Sequence, residues 1–455
     1  MSKNLTREFA SALHLWPADE PEVIEIARLL LLDGLSIALA GSQERGPGII
    51  AKRARADAAG SEASVLGHDF KTSAAAAARI NGTSMHVLDY EPMWSPSNHG
   101  LSTTLPALLA VAEQLERTGS GPQGRQVLRA LAKGIEAQGR IRVASNQLEA
   151  ETLTFHPPGV VGPIEAAVAV ADLIGLELDP MVAAIGIAAS CASGLLANSG
   201  SMTKALHCGN AAMNGLEAAF LARDGFTADI DAIGHAKGYG QAFYGASFES
   251  SALVGDVRVP RILKPGPAWK LFPSQYGTHF VITAALQCRD AINDPQAIQS
   301  VMIKTPVYRY LDRQYPRSGL DGKFSFQYCA AMALLDGTVT PSSFTDAIRF
   351  SPRTEAMLDR IAVLPDPKIG GSFEKMSVEV VVTLRDGTSV ERKCNAPDGS
   401  WSRPVAPERL ERKARDLALP HLGERRFDAM MTIVQDDPSR ISITQLMSLL
   451  GAPER

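Results

Sequence analysis

The stretch Val23–Leu39, VIEIARLLLLDGLSIAL, decides how the first half of the chain is read. Ile24, Ala27, Leu30, Leu31 and Leu35 recur at i, i+3, i+4 spacing, which gives a helix one buried stripe. Working outward, the same pattern returns over Leu105–Leu115, Val127–Ala137, Gly162–Ile174, Pro180–Gly194 and Gly209–Leu221. Small residues dominate these segments, from the unbroken alanines Ala74–Ala78 to Ala167, Ala169, Ala171, Ala188 and Ala189. Short side chains let helix axes approach closely, so a compact helical bundle is expected over residues 1–260. Gly119-Ser120-Gly121-Pro122 reads as a loop inside it, because helical patterning resumes on both sides.

The pattern changes after about Val259. Pro260, Pro265 and Pro267 interrupt the helical reading, and Val301–Thr305 and Met376–Leu384 are rich in β-branched residues. Arg385-Asp386-Gly387-Thr388 then separates the second run from Val390–Lys393, and Asp-Gly between two such runs signals a hairpin. Residues 261–404 are therefore expected to form a smaller α+β domain. From Pro407 onward Leu410, Ala414, Leu417, Phe427 and Met430 restore helical spacing, so residues 405–455 are expected to return to the first domain. The fold class expected is mainly α, with a large all-helical domain and a smaller α+β domain.

Composition narrows the function. With 455 residues, 45% hydrophobic and 21% charged, the chain has the make-up of an ordinary globular protein with two domains. A net charge of -4 offers no electrostatic footprint for nucleic acid or for an acidic membrane. No apolar run is long enough to span a bilayer, and the N-terminus lacks the apolar core of a signal peptide. Five scattered cysteines without a C-x-x-C pair argue against a structural zinc, an iron–sulfur cluster or a disulfide framework. A reducing, cytoplasmic setting fits them.

Against this Ala-rich background stand polar clusters beside glycine and proline turns. His86 and Asp89 are three apart and share a helix face; either they form a proton-transfer pair, or the helix ends there and Asp89 is solvated. No H-E-x-x-H or dense carboxylate pattern supports a metal. His99 lies in the irregular loop Trp94-Ser95-Pro96-Ser97-Asn98-His99-Gly100, as a proton carrier or a surface histidine. His156 precedes Pro157-Pro158-Gly159, with a helix expected from about Val161 or Gly162; either its N-terminus meets an anion, or this is a helix-entry turn with a histidine packed beside it. Gly200-Ser201-Met202-Thr203-Lys204 lacks the phosphate-loop pattern; Lys204, with His207 after it, is a candidate cation for a carboxylate or an ordinary solvated lysine. Lys270, in Lys270-Leu271-Phe272-Pro273-Ser274-Gln275, sits where the second domain opens; either it lines an interdomain cleft, or the segment serves the packing of Trp269 and Phe272.

Taken in this order, these segments resemble the MmgE/PrpD family, which includes 2-methylcitrate dehydratase, cis-aconitate decarboxylase and iminodisuccinate epimerase. The likeness runs through Asp33-Gly34-Leu35-Ser36-Ile37-Ala38-Leu39-Ala40-Gly41, Asn81-Gly82 before His86, and the block Ile187–Gly225. It continues in Lys323-Phe324-Ser325-Phe326-Gln327-Tyr328, leading to Leu334-Leu335-Asp336-Gly337. The resemblance implies a homodimer and catalysis without metal or organic cofactor. It also implies an active site of Asp89, His99, His156, Lys204 and Lys270. On that reading the two lysines bind substrate carboxylates, His156 and His99 exchange protons, and Asp89 orients one of them. Met93, His207 and Gln275 join them as substrate-binding candidates. Three positions depart from the family's pattern: Met93 stands for a hydroxyl residue, Gly100 for a proline, and Gln275 for a histidine or cysteine. The expected activity is a dehydratase-like lyase that abstracts a proton α to a carboxylate of a small di- or tricarboxylate such as 2-methylcitrate. Epimerisation of a dicarboxylate is the first alternative, and decarboxylation or a drifted binding protein the others.

Overall fold

A computed structural model describes residues 4–57, 60–148 and 153–451. Among the described residues ten α-helices form the first part: α1 (Leu5–Leu15), α2 (Pro21–Gly41), α3 (Arg45–Asp57), α4 (Ala74–Val87), α5 (Leu101–Arg117), α6 (Gly124–Ala144), α7 (Pro157–Leu173), α8 (Leu178–Ser190), α9 (Met202–Arg223) and the short α10 (Tyr239–Tyr244). Their starts follow from local chemistry. Pro21 opens α2, where its missing N–H is no loss, and Ser73 caps α4 by accepting from the Ala76 N–H. The helix expected from Val161 begins earlier, at Pro157, for the same reason that α2 starts at a proline. The stripe residues Ile24, Ala27, Leu30, Leu31 and Leu35 are all buried.

Helix α9 runs through the middle of this part, packed on α4, α7, α8 and α5. Close approach explains the small residues. A Cβ on Gly209 would lie 2.2 Å from the Arg79 carbonyl oxygen of α4, and one on Gly82 would lie 3.0 Å from the Gly209 Cα. This crossing sets the end of α4, with His86, against the first turn of α9, with Lys204. Gly209→Ala is expected to lower stability by about 1–3 kcal/mol through overpacking, read as an earlier urea midpoint. An unchanged midpoint would show that the two helices part freely.

The mixed part holds a four-stranded sheet. A short ribbon, β1 (Ala63–Ser64) with β2 (Lys71–Thr72), precedes it in the chain. The sheet has the order β4-β3-β5-β6, with β3 (Ile298–Thr305), β4 (Ile361–Pro365), β5 (Val378–Leu384) and β6 (Ser389–Cys394). Strands β5 and β6 form the antiparallel hairpin read from Asp386-Gly387, and Gly387 takes φ +88° at its turn. Strand β4 pairs parallel to β3; its five residues end on a proline and carry too little alternation to be read in advance. Val301, Ile303, Val378, Val380 and Val382 point one buried face at the helices Tyr276–Asp290 and Phe326–Asp336.

The last long helix, Pro407–Gln435, packs against α2 and bends at Gly423. Leu410, Ala414, Phe427 and Met430 are buried in the same core as the α2 stripe, and Leu417 is buried as well. All five cysteines are free, and no helix among the described residues is long and apolar enough to cross a membrane.

Candidate active site

Helix α4 ends at Val87, and Asp89 follows at φ +51°, the left-handed position where helices usually place glycine. Aspartate tolerates this region better than most residues. The reversal aims Asp89 back beneath His86, so the two face one cluster, and neither is solvated.

Three buried lysines, each from a distant part of the chain, grip three consecutive carbonyls here. Lys323 Nζ donates to Leu88 O at 3.0 Å, Lys270 Nζ to Asp89 O at 2.9 Å, and Lys413 Nζ to Tyr90 O at 2.8 Å. Burial pushes the Lys323 ammonium down to about 8, and it lowers Lys270 and Lys413 as well. The mixed part and the last helix thereby hold the turn that presents Asp89.

The cluster itself is a chain of direct contacts. Lys204 Nζ lies 2.8 Å from Asp89 Oδ2 and 2.7 Å from His86 Nε2. His86 Nδ1 lies 2.5 Å from Glu91 Oε1, and Glu91 Oε2 accepts from the Ser102 N–H at the start of α5, at 2.8 Å. Lys270 donates to Asp89 Oδ1 from the opposite side. His99 Nε2 stands 3.9 Å from Asp89 Oδ1, while its Nδ1 faces Pro92 O at 3.3 Å. The His86 ring centroid lies 5.0 Å from that of His99 and 5.4 Å from that of His156. His156 Nδ1 meets His207 Nδ1 at 3.3 Å.

Burial governs the charges. It pushes His86, His99 and His156 well below the usual histidine range, and the Lys204 and Lys270 ammonium groups push the same way. Burial would raise Asp89, but Lys204 and Lys270 outweigh it and hold the carboxyl well below the usual range. Glu91 rises to about 8 because burial costs its charged form more than the Ser102 bonds return. The cluster thus offers one firm carboxylate, two lysines and three neutral imidazoles.

A cleft of ≈ 460 Å³, partly open to solvent, reaches this cluster. Asp89, His99, His156, Lys204 and Gln275 line it, together with Asn98, Ser199, Tyr310 and Phe324. Four of the five expected active-site residues therefore share its wall. Lys270 does not: it is fully buried, and its donors go to Asp89 and to Ser274 O. In this arrangement its ammonium holds Asp89. Met93 is 1% exposed, pairs with Ala268 by backbone bonds and belongs to the core of the mixed part, off the cleft wall. His207 stands behind His156 and off the wall, where it can orient that ring. Gln275 is on the wall, but its amide donates to Tyr310 Oη at 2.7 Å and its carbonyl caps the helix Tyr276–Asp290. The N-terminus of α7 offers no anion cradle either. Pro157 and Pro158 lack N–H groups, and the Gly159 N–H is spent on His156 O.

His86, Glu91 and His99 each bring a ligand atom within 4.8 Å of the others, a set that can suit a divalent ion. The contacts here favour hydrogen bonds instead. His86 and Glu91 already touch, the other His86 nitrogen faces a lysine, and His99 Nδ1 faces a carbonyl. An ion would have to break that chain.

The family models agree with this architecture. Residues 7–251 match the MmgE/PrpD N-terminal domain, and residues 272–436 match the MmgE/PrpD C-terminal domain. Cis-aconitate decarboxylase of Mus musculus is 30% identical, over 100% of this chain and 94% of its own length. Cis-aconitate decarboxylase of Aspergillus terreus (strain NIH 2624 / FGSC A1156) is 26% identical, over 95% and 92%. The 2-methylcitrate dehydratase of Cupriavidus necator is 26% identical, over 72% and 71%. Matched in both halves and along its whole length, the chain belongs to the MmgE/PrpD family.

Proposed function

We propose that the protein is a dehydratase-like lyase of a small di- or tricarboxylate, working with side chains alone. The observation that carries this reading is the pairing, on one cleft wall, of neutral imidazoles with a lysine. His156 and His99 are held unprotonated, which makes them bases for a proton next to a carboxylate. Lys204 spends two of an ammonium's three N–H groups on His86 and Asp89, which leaves one for the cleft. That donor can bind a substrate carboxylate or assist a departing hydroxyl. Elimination needs a base and an acid on adjacent carbons, and this wall supplies both. Asp89, locked between two lysines, positions Lys204 rather than abstracting protons itself.

Decarboxylation is the second reading, favoured by the full-length likeness to proteins named cis-aconitate decarboxylase. Gln275, which cannot titrate, weighs against it, since the decarboxylase-like pattern has a histidine there. Proton NMR in D₂O, with 2-methylcitrate, citrate, cis-aconitate and iminodisuccinate offered separately, distinguishes the reactions. New olefinic signals from the first two acids support dehydration. Loss of CO₂ from cis-aconitate, or deuterium entry with a changed diastereomer, would replace that reading with decarboxylation or epimerisation.

Lys204→Ala is expected to raise KM about 10- to 100-fold, the size of one lost charged hydrogen bond. An unchanged KM with a normal rate would remove Lys204 from substrate binding.

A further inference from the structure

Glu91 takes no step in the reaction outlined above. It is wholly buried; its hydrogen-bonded route to the cleft runs through His86 and Lys204, and the His99 ring stands 3.9 Å from its Oε1. Hydrogen accounting gives that connection a consequence. A neutral imidazole carries a single N–H, and both of its nitrogens here sit at hydrogen-bond distance from a partner, 2.5 Å to Glu91 and 2.7 Å to Lys204. Two arrangements give each contact one hydrogen. In the first, Nδ1–H donates to an ionised Glu91 and the Lys204 ammonium donates to Nε2. In the second, a protonated Glu91 donates to Nδ1, and Nε2–H donates to a neutral Lys204 amine.

We propose that Glu91, His86 and Lys204 form a two-proton relay, through which Glu91 sets whether the lysine on the cleft wall is an ammonium or an amine. The exchange balances without a co-reactant. The Lys204 Nζ–H bond breaks as His86 Nε2–H forms, while His86 Nδ1–H breaks as Glu91 Oε1–H forms. The proton count and the total charge stay the same. Separated charges become a neutral pair, a change that burial favours and that the Asp89 carboxylate beside Lys204, and any arriving carboxylate, oppose. Anion binding therefore draws the proton from Glu91 to Lys204.

The surroundings pull Glu91 both ways. Burial raises Glu91 to about 8; the Ser102 hydrogen bonds and the Lys270 charge work against it, and the Asp89 charge works with it. Glu165 of α7, Cys208 of α9 and Lys413 of the last helix also face Glu91, and both Glu165 and Cys208 are held protonated by burial. His99 and His156 face His86 as neutral rings. Glu91 does not itself line the cleft; His86 and His99 stand between. It is a positioning residue that acts through its neighbours.

Two measurements on the full chain test the relay. The inference rests on the carboxylate-lyase reading only for the ligand used in the second. First, nitrogen-15 NMR of labelled histidines, followed across pH, reads the His86 tautomer, while infrared spectra read the carbonyl band of a protonated carboxyl. The relay predicts an Nε2–H tautomer while the Glu91 acid band is present and an Nδ1–H tautomer once it is gone. Glu91→Gln should abolish that band and freeze the tautomer. A His86 tautomer that stays fixed while Glu91 titrates overturns the relay. Second, tricarballylate, an unreactive tricarboxylate, is added at constant pH. Loss of the acid band on binding, absent in Glu91→Gln, supports the relay, and an unchanged band with tricarballylate bound overturns it. Failure of tricarballylate to bind would count against the carboxylate reading instead, and the tautomer titration would still decide the relay.

Discussion

His156→Gln is expected to lower kcat by about 10²–10⁴-fold, the usual contribution of a positioned acid–base group, while leaving the fold intact. The reason lies in where the side chain stands. His156 is the last residue before α7, and its backbone is anchored by the Gly194 carbonyl at 3.0 Å and by the first turn of the helix. None of those bonds involves the imidazole. The ring lines the cleft, touches His207 through Nδ1 and stays neutral because burial and the nearby Lys204 charge disfavour its cation. Glutamine keeps a similar reach and a polar end but cannot accept a proton from carbon. Circular dichroism and a urea midpoint should therefore match the parent protein while turnover disappears. Full turnover in this variant would move the acid–base role to His99.

Asp89→Ala should have the largest effect on stability. Asp89 is the counter-ion of two lysines, one of them fully buried, and three backbone carbonyls around it are held by Lys270, Lys323 and Lys413. Removing one partner of a buried pair leaves an uncompensated charge, which costs about 3–5 kcal/mol. The double variant Asp89→Ala/Lys270→Met removes that stranded charge, so it should lose less than the sum of the two single losses. Simple additivity in urea unfolding would show that the Asp89–Lys270 contact contributes no coupling.

Much of this was legible in the sequence, for reasons that particular residues make plain. The i, i+3, i+4 stripe of Val23–Leu39 and the Asp386-Gly387 turn are local signals, and both lead to the elements expected of them. His99, His156 and Lys204 stand out because they interrupt Ala-rich helix ends, where packing alone has no use for them. Lys270, Met93 and His207 lie next to the cleft in sequence motifs but off its wall, because side-chain direction depends on packing that spacing does not reveal. Glu91 escaped notice altogether. A lone acid between Tyr90 and Pro92 looks like part of a solvated loop; its role depends on the Ser102 N–H and His86, which meet it only in the folded chain. Lys323, in a turn, and Lys413, on the last long helix, were hidden likewise, since a lysine is normally a surface residue and only tertiary structure turns these two inward.

The central claim is that a substrate carboxylate meets Lys204 between His156 and His99. A crystal structure with tricarballylate bound tests it most directly. The account predicts a carboxylate oxygen at hydrogen-bond distance from Lys204 Nζ, with the adjacent methylene carbon facing an imidazole nitrogen of His156 or His99. Tricarballylate bound elsewhere, or in the cleft with every carboxylate turned away from Lys204, would contradict it.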